Sequence, residues 1–164
     1  MASSDGTSSP SGSSRDRRRG LFDDLVRAET RIYNALGERL RAEHGIVTSQ
    51  FELLRHLGAH PDARVAEMAT VFAAGIGAVS KGVDRLEARG WAVRVPNPVD
   101  RRSSLVRLTT SGAALVAAAE RTFDVELERL IGSTLTDEQV DAVAGALGAV
   151  RRALEGARIG LPVG

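Results

Sequence analysis

Apolar residues recur along the chain with two periods, and the places where one period gives way to the other outline its elements. Between residues 21 and 44, Leu25, Ile32, Leu36 and Leu40 lie on or near one helical stripe, with Tyr33 beside them. Asp23 and Asp24 fall in the first turn, where acids suit the amide end of a helix. Gly45 ends that run. Phe51, Leu53, Leu54 and Leu57 predict a second helix over residues 49–57, with Thr48 as its cap, Glu52 near the capping-box position, and His60-Pro61 closing it. A short third helix over residues 65–72 carries Met68, Ala69 and Phe72, and residues 73–77 form a tight glycine-containing turn. Over residues 78–88, Val79, Val83 and Leu86 share one face and leave Ser80, Lys81, Asp84 and Arg85 outward.

The period then becomes two. Gly90 supplies the left-handed residue that commonly ends a helix, after which Trp91, Val93 and Val95 alternate with polar or small residues. Pro96, Asn97 and Pro98 force a turn. A second strand over residues 105–108 returns with Arg107 on the face opposite Val106 and Leu108, so residues 98–104 project and carry Arg101 and Arg102 into solvent. Helical spacing resumes over residues 110–131 with Leu115, Val116, Ala119, Phe123, Leu127 and Leu130, and Thr136 with Glu138 and Gln139 starts a last helix running to about residue 155. A helix with a basic outer face followed by an arginine-tipped hairpin is the sequence form of a winged helix-turn-helix, a device for reading DNA. Standing alone, Asp100-x-Arg102 reads as a solvated hairpin tip. Behind this helix, glycine and strand, Asp100 is placed to brace the Arg102 guanidinium as a bidentate pair.

With 164 residues, one domain is the default. The absence of cysteine excludes disulfides, thiolate metal sites and thiol redox sensing. No apolar run is long enough to span a membrane, and the first residues lack the apolar stretch of a signal peptide, so a cytoplasmic chain is expected. Residues 1–19, rich in Ser, Gly and Arg, are expected to be a disordered head; its arginines could touch phosphates, but a solvated tail is the favoured reading. The net charge of +1 excludes a generic polycation, but it is unevenly spread. Residues 64–119 carry eight basic side chains against four acids, whereas residues 120–164 carry five against eight. Phosphate attraction is thereby focused on the winged segment. His56 and His60 have metal-ligand spacing, but no third His or Cys stands nearby, and neither a metal nor a cofactor is expected. No nucleophile motif appears, and the glycines of GIGAVSKG lack the preceding strand of a phosphate-binding loop, so an enzyme is not expected.

The run DRLEARGWAVRVPNPVDRRSSLVRLTTSGAAL, residues 84–115, resembles the MarR (multiple antibiotic resistance regulator) family of winged helix-turn-helix transcriptional regulators. The resemblance extends upstream through VTSQFELLRHL and downstream through LTDEQVDAVAGAL, covering roughly residues 21–155. It implies a mainly α fold with a small β-wing: an N-terminal dimerisation helix (residues 20–47), a DNA-binding region (48–109) and C-terminal dimerisation helices (110–164). The implied partners are double-stranded operator DNA and a second copy of the chain, and the implied activity is repression. An activator, or a winged helix that binds proteins instead of DNA, are the alternatives.

By the same resemblance, Gly77, Ala78, Ser80, Lys81 and Arg85 form the recognition-helix contacts. Arg102 is the arginine of the wing tip that enters a minor groove, with Asp100 its brace and Arg101 a phosphate contact. A small aromatic or anionic effector is implied at Val65, Ser80, Arg85 and Arg94, with Arg94 its anion-binding group. A second crevice would gather Tyr33, His44, Arg55 and His56 around Phe51; ordinary packing with surface charge is the competing reading there.

Overall fold

The chain enters its first helix through a local cap. In the computed structural model, which describes residues 13–162, the N–H and hydroxyl of Ser13 donate to Asp16 Oδ2 at 3.2 and 2.7 Å, and the N–H of Asp16 donates back to Ser13 Oγ at 3.3 Å. Helix α1 (Ser14–His44) therefore starts inside the segment expected to be a disordered head. The Ser/Arg composition hid it, although arginine is a good helix former. Residues 1–12 of that head lie outside the described residues. The chain forms two units, residues 1–35 and residues 36–164. In the first, Leu21, Phe22, Leu25 and Val26 on α1 are all exposed.

In the second unit α1 ends at Gly45, whose φ of 66° suits glycine. Helix α2 (Thr48–Ala59) follows, capped at Val47 and not at Thr48: Gln50 Oε1 accepts the Val47 N–H at 3.1 Å. Strand β1 (Ala63–Arg64), which the sequence pattern did not predict, leads into α3 (Val65–Val71). Helix α4 (Ile76–Ala88) begins at Gly75, so Gly77 is helical and not part of the turn. Strands β2 (Ala92–Pro96) and β3 (Ser104–Leu108) make the hairpin, and β1 adds to its other side, giving an antiparallel sheet of order β1-β3-β2 with Ala63 opposite Val106 and Arg94 opposite Val106 on the other flank.

Helix α5 (Thr110–Leu127) passes into a wide π-type turn (Glu128–Gly132) instead of continuing as an α-helix to residue 131. Helix α6 (Asp137–Gly156) starts as expected: Thr136 Oγ1 accepts the Gln139 N–H at 3.3 Å and Gln139 Oε1 accepts the Thr136 N–H at 3.0 Å.

Two buried clusters hold this unit. Leu54, Leu57, Met68, Val83, Leu86 and Val106 lie in the larger, which ties α2, α3, α4 and the sheet together. Leu40, Ile46, Phe51 and Ala119 form the smaller, and Trp91 and Leu115 pack against both. At roughly 1.5 to 3 kcal/mol for each large side chain fully buried, this packing fixes α4 against its neighbours. The start of α5 is riveted to the end of α4. Thr109 and Ser111 hydroxyls donate to the Gly90 carbonyl at 2.7 and 2.8 Å, and the Thr109 N–H donates to the Trp91 carbonyl at 3.0 Å.

Candidate nucleic-acid interface

Helix α4 presents two faces because its apolar residues recur every three or four positions. Val79, Val83 and Leu86 are buried, while Gly77, Ala78, Lys81 and Arg85 are exposed and Ser80 is half-buried. The wing begins one strand later. Gly90, with φ of 71°, turns the chain out of α4 and into β2.

The wing tip, residues 97–103, is organised by a side chain that the sequence pattern marked only as part of a turn. Asn97 is buried; its Nδ2 donates to Ser103 Oγ at 2.9 Å and its Oδ1 accepts the Val99 N–H at 3.0 Å. An Asn two residues before an exposed valine between prolines is an Asx-turn signal, and that was the clue available. Asp100 has a different role from the one expected. Its Oδ1 accepts the backbone N–H of Arg102 at 3.0 Å, so it shapes the loop and does not clasp the guanidinium. An acid two residues upstream closes a turn with the backbone more readily than it reaches along a flexible arginine. Arg101 and Arg102 both project from this loop and are exposed.

Charge pairing separates the arginines here into two sets. Arg64 is held by Glu67, through Nε at 2.8 Å, and that guanidinium and the Arg64 N–H keep the Glu67 carboxyl below its ordinary range. Arg107 is held by Asp62 on the turn before β1, and its hydrogen bond likewise lowers the Asp62 carboxyl. Arg94 joins β2 to α4: it pairs with Glu87, and with Asp84 at 2.7 Å, while its backbone N–H donates to Glu87 Oε1 at 2.7 Å. Among the described residues, Lys81, Arg85, Arg101 and Arg102 enter no ion pair. The acids nearest them in sequence are committed elsewhere. Arg85 in particular does not take Glu87 or Glu67, the partners an ordinary surface arginine would have here.

A groove of about 630 Å³ runs between the start of α3, the outer face of α4 and the wing, lined among others by Val65, Ser80, Arg94 and Arg102. Three of the four residues expected around an effector thus meet. Arg85 lies instead on a separate groove of about 360 Å³ with Leu53, Phe72 and Gly82. Arg94, expected to be the anion-binding group of an effector, already holds two carboxylates, those of Asp84 and Glu87.

The second expected crevice is not assembled. His44 Nε2 sits 2.8 Å from Thr122 Oγ1, and Arg55 lies over the Phe123 ring at 5.1 Å, so both face α5. His56 instead stacks on His60 at 4.4 Å and meets the edge of Phe72 at 5.5 Å, on the side of α3. Adjacent positions on one helix diverge by about 100°, which separates Arg55 from His56. Tyr33 belongs to the N-terminal unit. Burial, and secondarily the His60 ring, hold the His56 imidazole below its ordinary value.

The profile of the MarR family matches residues 44–103, which span the end of α1 through the wing tip. The multiple antibiotic resistance protein MarR of Escherichia coli K12 is 30% identical over 126 residues, which are 73% of this chain and 88% of that protein. The chain belongs to the MarR family. Among solved structures, an E. coli MarR variant complexed with operator DNA superposes with a TM-score of 0.74 at 26% identity, covering 85% of this chain and 99% of that one. The MarR-family regulator Sco3205 of Streptomyces coelicolor, in complex with DNA, shares the fold with a TM-score of 0.80 at 22% identity over 95% of this chain and 98% of that one. The protein is thus a transcriptional regulator of the MarR family, built around a winged helix.

Proposed function

We propose that this MarR-family regulator binds double-stranded operator DNA as a homodimeric repressor in the cytoplasm, with α4 in a major groove and the wing tip in the flanking minor groove. The observation that carries the reading is the set of four exposed, unpaired cations: Lys81 and Arg85 one turn apart on α4, and Arg101 and Arg102 on the wing. Paired guanidiniums such as Arg94 and Arg107 would have to break a salt bridge before meeting a phosphate; these four would not. Arg85 has the fork to take a guanine edge in two hydrogen bonds, and Arg102 suits a narrow groove of concentrated negative potential. Gly77 and Ala78, without bulky side chains, allow the start of α4 to approach the duplex closely. The E. coli relative complexed with operator DNA supports the same assignment.

Effector release follows from the Arg94 clamp. A small aromatic acid entering the groove beside Val65 and Ser80 competes with Asp84 and Glu87 for Arg94, loosening β2 from α4 and tilting the wing relative to the recognition helix. Differential affinity for the two arrangements is what drives release.

Fluorescence anisotropy on the DNA upstream of its own coding region and on a scrambled duplex, over a salt series, tests the reading. Tight, salt-steep and sequence-selective binding is expected. Arg102→Ala should weaken operator binding by about tenfold, on the order of 1.4 kcal/mol. Equal, weak binding to both duplexes would overturn the assignment.

A further inference from the structure

The first turns of α1 carry four arginines, Arg15, Arg17, Arg18 and Arg19. Because the chain is helical from Ser14, they have fixed spacing, and Arg15, Arg18 and Arg19 stand at i, i+3 and i+4 on one side of the helix. Together with Phe22 and Asp23 they border one shallow recess, and residues 13–22 are exposed throughout. The one acid within this stretch, Asp16, has its carboxylate taken up by Ser13 in the cap. Among the described residues, Arg15, Arg18 and Arg19 enter no ion pair. Residues 13–22 as a whole carry a net charge of +3, and Arg15, Arg18 and Arg19 stand together on one helical face.

We propose that this arginine face is a second phosphate-binding surface, which holds the backbone of the same DNA that the winged helix reads. The inference rests on the reading of the chain as a DNA-binding regulator. Charge complementarity selects the occupant. Guanidinium forks pair with phosphate oxygens bidentately, and three forks rising along one face within about 6 Å match a polyanion with regularly spaced charges better than a single small anion. The face presents nothing that reads a base, so its contribution is sequence-independent, adding affinity and leaving the choice of operator to α4 and the wing. It would lengthen the electrostatic footprint of each chain beyond the winged segment.

The test compares the full-length protein with Arg15→Gln/Arg18→Gln/Arg19→Gln and with the charge-keeping Arg15→Lys/Arg18→Lys/Arg19→Lys, on an operator duplex with long flanks, over a potassium chloride series. Three lost phosphate contacts should make the slope of log affinity against log salt shallower by about 2.7 for the glutamine variant, with an equal fold loss on operator and scrambled DNA; the lysine variant should keep most of the slope. Circular dichroism checks that α1 persists. An unchanged slope in the glutamine variant would overturn the proposal, as would binding of wild type but not the glutamine variant to anionic phosphatidylserine vesicles with no change on DNA. If wild-type protein itself fails to select its operator, it is the DNA-binding reading that fails, and the two outcomes are distinct.

Discussion

A single glycine fixes how closely the wing's first strand approaches the helix behind it. A Cβ on Gly112 would overlap the carbonyl oxygen and carbon of Trp91, backbone atoms that cannot rotate away. Gly82 is different: its Cβ would meet only the Leu53 Cδ1 tip, at 2.7 Å, which a rotamer change relieves. Gly112→Ala should therefore lower stability by about 3 kcal/mol, the upper part of the range for overpacking. Gly82→Ala should stay within about 1 kcal/mol of wild type, because helix propensity offsets the strain. Urea unfolding midpoints check both, and equal losses would contradict the distinction between backbone and flexible-tip contacts. His56 sets a pH dependence. Its folded-state pKa lies below the ordinary 6.5, so the unfolded chain takes up the proton first as pH falls. Stability is then full above pH 6.5 and declines as pH drops below it towards the folded value, the opposite of a histidine stabilised by a carboxylate. His56→Gln should flatten that part of the profile of thermal midpoint against pH, leaving the lower-pH loss from Asp62, Glu67 and Glu126, whose carboxyls are all held low by arginines.

Between elements, Arg94 is the strut of the winged segment. It connects β2 to two acids on α4, and its own N–H adds a third contact through Glu87. With these side chains only partly exposed, the pair should couple by about 1 kcal/mol, above the few tenths of a free surface pair. A double-mutant cycle of Arg94→Ala and Glu87→Ala by chemical denaturation measures this, and additive losses would show that the strut bears no strain. This pairing was beyond the reach of the sequence. The face of α4 could be read, because Val79, Val83 and Leu86 repeat at helical spacing, and so could the hairpin, because prolines and alternation bound it. Which carboxylate an arginine takes depends on where two elements meet, and periodicity carries no such information. Strand β1 escaped for the same reason: two residues have no period, and only their pairing with Leu105 and Val106, far along the chain, makes them a strand. The brace expected between Asp100 and the Arg102 guanidinium is replaced by a contact of Asp100 with the Arg102 backbone.

For the whole molecule, α6 poses the remaining problem. Over Asp137–Gly156 it buries no residue within its own chain, although Val143, Leu147, Val150 and Leu154 fall at spacings of four, three and four, the pattern of a seam between helices. An isolated helix of this length with a bare apolar stripe gains little in water, so a partner is needed to explain why the stripe exists. A second copy is the economical partner, since two winged domains on one two-fold axis read half-sites about 34 Å apart. Burying each of these half-exposed side chains contributes roughly 1 kcal/mol, about half the value for full burial, against an association cost on the order of 4 to 15 kcal/mol. The α6 stripe alone therefore makes a weak seam, and a stable dimer would need further apolar surface. Light scattering should give twice the 17.4 kDa chain mass for wild type. Leu147→Glu/Leu154→Glu should shift that mass to one chain, since neither charge can be buried unpaired, while circular dichroism shows the winged domain still folded. Operator affinity should then fall towards that of a single half-site, whereas a variant that stays dimeric would move the interface away from this stripe.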